Sequence, residues 1–357
     1  MAENNEKLTR RQGIQITKPD SRITTSKGGI QIKSEGKPIS FETGRRRLRI
    51  AVTTAGYDDI GEVLEKMEYR FETIFDNELN DIELISKFDV IFLNCNGDCE
   101  SESIEASRPL RTYVSRGGSI YASDFAAAYV KVIFPERFNY SENSESGLYD
   151  CNVVDRGLEQ IIGKKIKLNF DLGAWCKVVK LPKPNRKYIT YGNLPILISF
   201  TYGKGSIIFT SFHNHAQVSD LEQKLLQYLV LKTIAAPISI NIRNLGTEDI
   251  KSLQEITTST KLNEGRIYSY VNNEQKTIVF IVNWSENAEF NLKIWQPDGQ
   301  LYKEIQSNNS PCVVEVPKAE IGIWQYAAIP ITVSYLNLPF TVTAGPKNTI
   351  LKALPLP

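Results

Sequence analysis

The two histidines of this chain stand two positions apart, as His213 and His215 in Ser211-Phe-His-Asn-His. They follow a predicted strand, Ser206-Ile-Ile-Phe-Thr-Ser-Phe, and precede Ser219-Asp-Leu-Glu222, a capping box that opens a helix. That is the carboxyl end of a strand, where open α/β sheets gather their functional groups. An imidazole there titrates near neutrality and could serve as a general base. Its partners must come from other strand ends. Strand Ser119–Ser123 runs into Asp124, at the sharp strand-to-helix turn from which a nucleophile would be presented. Ser123 lacks flanking glycines and Asp124 is a poor acyl-transfer nucleophile, so Asp124 is expected to orient His213. Strand Asp89–Asn94 ends in Asn94-Cys-Asn-Gly-Asp98, which brings Cys95 to the same edge. A histidine beside that thiol would activate it. If the chain is an enzyme, His213, Asp124 and Cys95 are the candidate catalytic groups, and Asn94, Asp98, Ser123 and His215 line the candidate pocket. A plain βα turn accounts for Cys95 equally well, and a structural hydrogen-bonding role accounts for the histidines. His213 and His215 with Asp98 and Asp124 are metal-ligand types, but two histidines two positions apart do not define a site. No metal and no cofactor is expected. Neither GxGxxG nor GxxxxGK[ST] occurs, so the standard nucleotide loops are unsupported.

The elements that must hold these residues are short, nearly all-apolar strands alternating with helices. Such strands belong to a parallel sheet with both faces covered. The expected fold is therefore α/β: a flavodoxin-like three-layer parallel sheet over residues 47–236, followed by a C-terminal β-sandwich over residues 237–345. Residues 135–195 break the rhythm and are expected to be an insertion, with its own hairpin lying over the functional edge of the sheet. The turn Tyr202-Gly-Lys-Gly205 is expected to join two antiparallel edge strands. After Pro237, short alternating runs recur about every ten residues, the signature of a sandwich. Trp284, Trp295 and Trp324 are expected in its core. Residues 1–46 read as a flexible or extended arm. Within it, Gly13-Ile-Gln-Ile and Gly29-Ile-Gln-Ile echo each other, each able to add a strand to a sheet edge. The Pro-rich end, 346–357, reads as a flexible tail.

The bulk composition narrows the partners. Hydrophobic residues make up 41% and charged ones 23%, and 42 Lys+Arg against 41 Asp+Glu leave a net charge of +1. Nucleic acid is therefore not an expected partner. Five cysteines without a CxxC pair read as reduced thiols. The opening MAENNEKLTRRQ has no signal-peptide core, and no apolar stretch approaches the roughly 20 residues that cross a bilayer. A cytoplasmic location with no membrane contact is expected.

The segment Phe88-Asp-Val-Ile-Phe-Leu-Asn, then Leu110–Gly118 with Ser119-Ile-Tyr-Ala-Ser-Asp, then Gly203-Lys-Gly-Ser-Ile-Ile-Phe-Thr-Ser-Phe-His, resembles the class I glutamine amidotransferase-like superfamily. The likeness is to its trehalose-utilisation-like branch and covers about residues 47–235. In active members the elbow carries a cysteine, and a histidine follows the late strand with an acidic residue two positions on. Here the elbow position matches Ser123 or Asp124, the histidine position His213, and the acidic position holds His215. The resemblance thus implies the fold, with two of three catalytic roles altered. Leu292-Lys-Ile-Trp-Gln-Pro-Asp-Gly299, Val316-Pro317, Gly322-Ile-Trp324-Gln-Tyr326, Tyr335 and Phe340-Thr-Val resemble the small sandwich found beside von Willebrand factor A domains and in prepeptidase-like C-terminal modules. Such modules mediate contacts in bacterial multi-protein systems and carry no chemistry. Together these imply a non-catalytic interaction or scaffold protein with protein partners. The rival is a hydrolase acting on a small amide or sugar-like substrate.

Overall fold

The computed structural model describes residues 22–26, 29–33, 48–96, 99–135, 137–262 and 265–353. Strands β1 (Arg22–Ser26) and β2 (Gly29–Lys33) pair antiparallel, with Ile23 opposite Ile32. The Gly29 segment is thus a strand, though its partner is β1 and not an existing sheet edge. Its echo at Gly13 lies outside the described residues.

The α/β rhythm then runs as β3 (Ile50–Thr53), α1 (Gly61–Lys66), β4 (Glu72–Ile74), α2 (Ile82–Ile85), β5 (Val90–Leu93), α3 (Cys99–Ser115), β6 (Ser119–Ser123) and α4 (Ala127–Ile133). Next come β7 (Asn139–Ser141), β8 (Gly147–Val153), α5 (Arg156–Ile162), β9 (Lys165–Phe170) and β10 (Lys177–Lys180). They lead into β11 (Asn185–Tyr191), β12 (Leu194–Tyr202), β13 (Gly205–Thr210) and α6 (Asp220–Ile234). One nine-stranded sheet results, in the order β4-β3-β5-β6-β13-β12-β11-β8-β9. Successive side chains on a strand point to opposite faces, and both faces here meet apolar cores. Ile50, Val52, Val90 and Phe92 pack with Leu64, Leu158 and Leu225 on one side. Ala51, Ile91, Leu93 and Ile120 pack with Leu110, Val114 and Val130 on the other. That two-sided burial is why these strands lack polar alternation.

The sheet is parallel only from β4 to β13, and the pairs from β13 through β12, β11, β8 and β9 are antiparallel. This corrects two expectations. The 135–195 insertion does not lie over the sheet as a hairpin. Its strands β8, β9 and β11 extend the sheet, because the free edge of β12 offers backbone groups that need partners. Only β7 and β10 form a separate two-stranded piece. The Tyr202–Gly205 turn accordingly joins two central strands, since β6 flanks β13 and β11 flanks β12.

Helix α6 begins as its sequence requires. The Ser219 hydroxyl accepts from the Glu222 amide at 3.3 Å, and the Glu222 carboxylate accepts from the Ser219 amide at 2.7 Å. After it come α7 (Thr247–Ser252), β14 (Gln254–Ser259), β15 (Tyr268–Asn272), β16 (Lys276–Trp284), β17 (Ala288–Trp295) and β18 (Leu301–Ser307). The described chain closes with β19 (Cys312–Ala319), β20 (Gly322–Val333), β21 (Pro339–Pro346) and α8 (Lys347–Ala353). These strands make two four-stranded antiparallel sheets, β14-β21-β16-β19 and β15-β20-β17-β18. Phe280, Trp284, Phe290, Trp324, Tyr326 and Phe340 belong to one apolar core between them. Trp295 does not join it. On β17 the buried set is Ala288, Phe290, Leu292 and Ile294, so strand parity turns Trp295 to the other face. The flexible tail also needs correction, because residues 347–353 are helical and Ile350 is buried with Leu253, Val279 and Ile281.

The two halves meet at a buried charge network. Asp155 caps α5 by accepting from the Gly157 and Leu158 amides at 3.0 and 2.9 Å, and its second oxygen accepts from Arg186 Nε at 2.6 Å. Arg186 Nη1 donates to Glu255 at 2.8 Å, and Lys232 Nζ donates to the same oxygen at 2.7 Å. Beside it α5 crosses β14 so closely that a Cβ on Gly157 would stand 1.9 Å from the Glu255 carbonyl oxygen. That oxygen belongs to a paired strand and cannot yield. Gly157→Ala is therefore expected to cost about 3 kcal/mol of stability, the upper range for overpacking, read as a lowered urea midpoint. An unchanged midpoint would show that the crossing is loose.

Candidate functional site

The carboxyl ends of β3, β5, β6 and β13 converge, and each delivers part of the site. At the end of β6 the backbone turns through Asp124, whose φ of +42° is unusual for a side-chain-bearing residue. Asp124, and not Ser123, therefore stands at the elbow. Ser123 faces sideways, its hydroxyl accepting from the Cys95 amide at 3.2 Å. Asp124 Oδ1 accepts from the Cys176 amide at 2.7 Å. Its Oδ2 lies 3.2 Å from His213 Nε2, an ion-pair contact without the alignment of a hydrogen bond. On the far side of the ring, His213 Nδ1 is 2.9 Å from Asp171 Oδ1.

Asp171 escapes the sequence reading. It follows β9, inside the insertion, 42 residues before its histidine. The only local signal is its place at the end of a strand-like run. Asp58 escapes as well, although Gly56-Tyr-Asp-Asp follows the first parallel strand. Its buried carboxylate accepts from the Asn214 and His215 amides at 2.8 and 3.2 Å and from the Asn214 side chain, which fixes the histidine loop. Asn214 also accepts from Tyr121 Oη at 2.6 Å. Gln217 ties the loop to β9 by donating to Asn169 O at 2.7 Å and to His213 O at 2.9 Å.

The remaining candidates divide. Cys95 is fully buried, and its sulfur, an Asp124 oxygen and a His213 nitrogen lie within 4.8 Å of one another. His215 sits over Asp171 and Asp58, its ring nitrogens 3.2 and 3.5 Å from their oxygens. Asn94 lines no opening. It is buried, with its amide donating to Thr53 O at 2.9 Å and its oxygen accepting from Ile60 N at 3.0 Å, so it bolts β5 to β3. Asp98 lies outside the described residues. Cys176, an ordinary thiol by its sequence, is a neighbour of Asp124.

Electrostatics sets what this arrangement does. Burial alone would depress the His213 pKa, but the contacts with Asp124 and Cys95 outweigh it and push the value up to about 11. His215 is raised, chiefly by its hydrogen bond to Asp58. Burial pushes the Cys95 thiol up, and the His213 contact only partly opposes it. At neutral pH the cluster therefore holds an imidazolium, in contact with Asp124, Asp171 and Cys95. The layout of a nucleophile–base–carboxylate relay is present, with a carboxylate at the elbow and a base that already carries its proton. Asp171, His213 and His215 also bring ligand-type atoms within 4.8 Å. A cation on His213 Nδ1 would have to displace Asp171 from its 2.9 Å contact. A cleft of about 400 Å³ and another of about 140 Å³ are lined by other residues and not by His213.

No family model and no curated protein matches the sequence. Among solved structures, a glutamine amidotransferase from Thermotoga maritima is 12% identical, covering 53% of this chain and 85% of its own, with a TM-score of 0.37. A ThuA-like protein from Bacteroides uniformis is also 12% identical, covering 54% and 92%, with a TM-score of 0.38. Another glutamine amidotransferase is 15% identical over 52% of this chain and 99% of its own, at 0.39. These likenesses are too distant to transfer an activity. Each covers about half of this chain.

Proposed function

We propose that this chain is a non-catalytic interaction or scaffold protein of a bacterial multi-protein assembly, acting in the cytoplasm. Its parts in this reading are an amidotransferase-like α/β domain and a C-terminal β-sandwich formed by the two four-stranded sheets. One observation carries the proposal. The elbow residue, Asp124, is engaged by the Cys176 amide and by His213, and His213 is 3% exposed and held protonated. Among the described residues of this cluster no free base remains, and no accessible nucleophile stands beside His213. The constellation works as a clasp that fastens the insertion to the strand ends.

The interaction half of the proposal has its own support. On the outer face of the second sheet Val271 and Ile323 are cross-strand partners, 48% and 55% exposed, with Leu301 exposed further along. Exposed apolar pairs of this kind suit a protein contact. Ile323→Glu, which touches no core, is expected to reduce co-purifying partners at least tenfold, while Cys95→Ala leaves them in place. Quantitative mass spectrometry of affinity-purified protein reads both. Equal recovery from the two variants removes this face from the proposal.

The hydrolase reading keeps one observation on its side, the sulfur of Cys95 within reach of His213. Selective alkylation of Cys95 by iodoacetamide in the folded protein would reinstate it. The clasp reading expects no labelling there.

A further inference from the structure

The two ring nitrogens of His213 meet unlike surroundings. Nδ1 lies 2.9 Å from Asp171 Oδ1, in a hydrogen bond that fixes the ring. Nε2 is buried and makes no hydrogen bond. It faces Asp124 Oδ2 at 3.2 Å, and the Cys95 sulfur completes a group whose ligand-type atoms all lie within 4.8 Å of one another. Asp124 is steadied through its other oxygen, Oδ1, which accepts from the Cys176 amide at 2.7 Å. The three side chains follow the ends of β5, β6 and β13, which are neighbours in the sheet in that order. Each is at most 3% exposed.

A buried ring nitrogen without a partner is costly, and native structures rarely keep one. Thiolate, imidazole and carboxylate are the ligand types that zinc takes. Zinc bonds to nitrogen and oxygen at tetrahedral angles set those two ligands about 3.4 Å apart, close to the 3.2 Å between Nε2 and Oδ2. The far side of the ring agrees. A metal-bound histidine gives its other N–H to a carboxylate, which fixes tautomer and orientation, and Asp171 stands in that place. The neighbouring group of Asp171, His213 and His215 lacks this support, because an ion there breaks the Asp171 bond. Cys176, whose thiol interacts with Asp124 and Cys95, supplies the donor type for the fourth position of a tetrahedral ion.

We propose that Cys95, Asp124 and His213 Nε2 form a buried site for a zinc-type divalent cation, with Asp171 as the positioning residue behind the histidine. Binding releases the thiol proton of Cys95 and the Nε2 proton of the imidazolium to water, while Nδ1 keeps its proton toward Asp171. The protonated cluster described above is the metal-free state. This inference rests on the clasp reading and adds to it the ion that closes the clasp.

Full-length protein grown in defined medium with zinc, or with cobalt in its place, tests it after gel filtration. Elemental analysis is expected to find zinc in stoichiometric amount. The cobalt form is expected to show thiolate-to-cobalt charge transfer in the near ultraviolet and the intense visible bands of a tetrahedral ion. Cys95→Ser and Asp171→Asn are each expected to weaken zinc about tenfold or more, read by competition with a chelating dye. His215→Gln separates this site from the neighbouring group and is expected to hold as much zinc as the parent. The proposal is overturned if the parent retains neither metal, or if its cobalt spectrum lacks the sulfur band. It is likewise overturned if Cys95→Ser binds zinc like the parent, or if His215→Gln releases the ion. Should Cys95→Ser not fold, the sulfur band of the parent still decides. The clasp reading falls separately, when iodoacetamide labels Cys95 in the folded metal-free protein.

Discussion

Arg186→Ala is expected to lower the unfolding free energy by about 3–5 kcal/mol, the cost of stripping the counter-charge from a buried ion pair. Both of its partners stay behind. Asp155 and Glu255 are buried, and only Lys232 remains to neutralise Glu255. Burial alone would raise the Glu255 carboxyl, yet Lys232 and Arg186 hold it below the usual range. Its contribution to stability is therefore present above the unfolded carboxylate pKa and is lost as pH falls through the lower folded value. The loss in Arg186→Ala should be seen in both halves, because the guanidinium joins β11 to β14. Urea unfolding followed by tryptophan fluorescence suits this, with Trp175 in the first half and Trp284 and Trp324 in the second. A companion variant, Arg186→Met with Asp155→Asn and Glu255→Gln, removes the charges together and should recover much of the loss. A change below 1 kcal/mol in Arg186→Ala would mean that packing alone holds the junction.

That network was illegible in the sequence for a physical reason. Arg186, Asp155, Glu255 and Lys232 sit on four different elements, and no periodicity links residues separated by 23 to 69 positions. Local signals fared differently. The apolar runs at β5, β6 and β13 announced strands covered on both faces, and Ser219–Glu222 announced the start of α6. The convergence of Cys95, Asp124 and His213 followed from all three standing at carboxyl ends of strands in one sheet. Asp171 did not follow, because its strand joins the sheet only through pairing along the antiparallel edge, and edge pairing is set by tertiary contact. The same holds for β14. All six of its residues are buried, but Gln254-Glu-Ile-Thr-Thr-Ser has one apolar side chain, so its burial comes from the partners it pairs with and not from its composition. Trp295 was misplaced by type, whereas its parity with Phe290, Leu292 and Ile294 would have placed it correctly.

His213→Gln is expected to destabilise the protein by an amount that depends on pH, and the direction of that dependence decides what the cluster is. The folded pKa of about 11 stands above the 6.5 of a free imidazole. A group raised on folding contributes its full stabilisation below the unfolded pKa and loses it as pH climbs toward the folded value. The gap between parent and variant should therefore be largest at pH 6 and shrink above 6.5, by about 1.4 kcal/mol for each pH unit. Glutamine fills similar space and still donates a hydrogen bond, but it cannot carry the charge that Asp124 and Asp171 enclose. His215→Gln is the control, since its ring is partly exposed and its pairs are screened by solvent, so a smaller and flatter gap is expected. Urea midpoints at pH 6, 7.5 and 9 separate the outcomes. If the gap stays constant or widens with pH, His213 is neutral in the folded protein and free to accept a proton. The clasp would then be a base waiting for a substrate, with Asp124 as its orienting carboxylate and Cys95 as the nearest thiol.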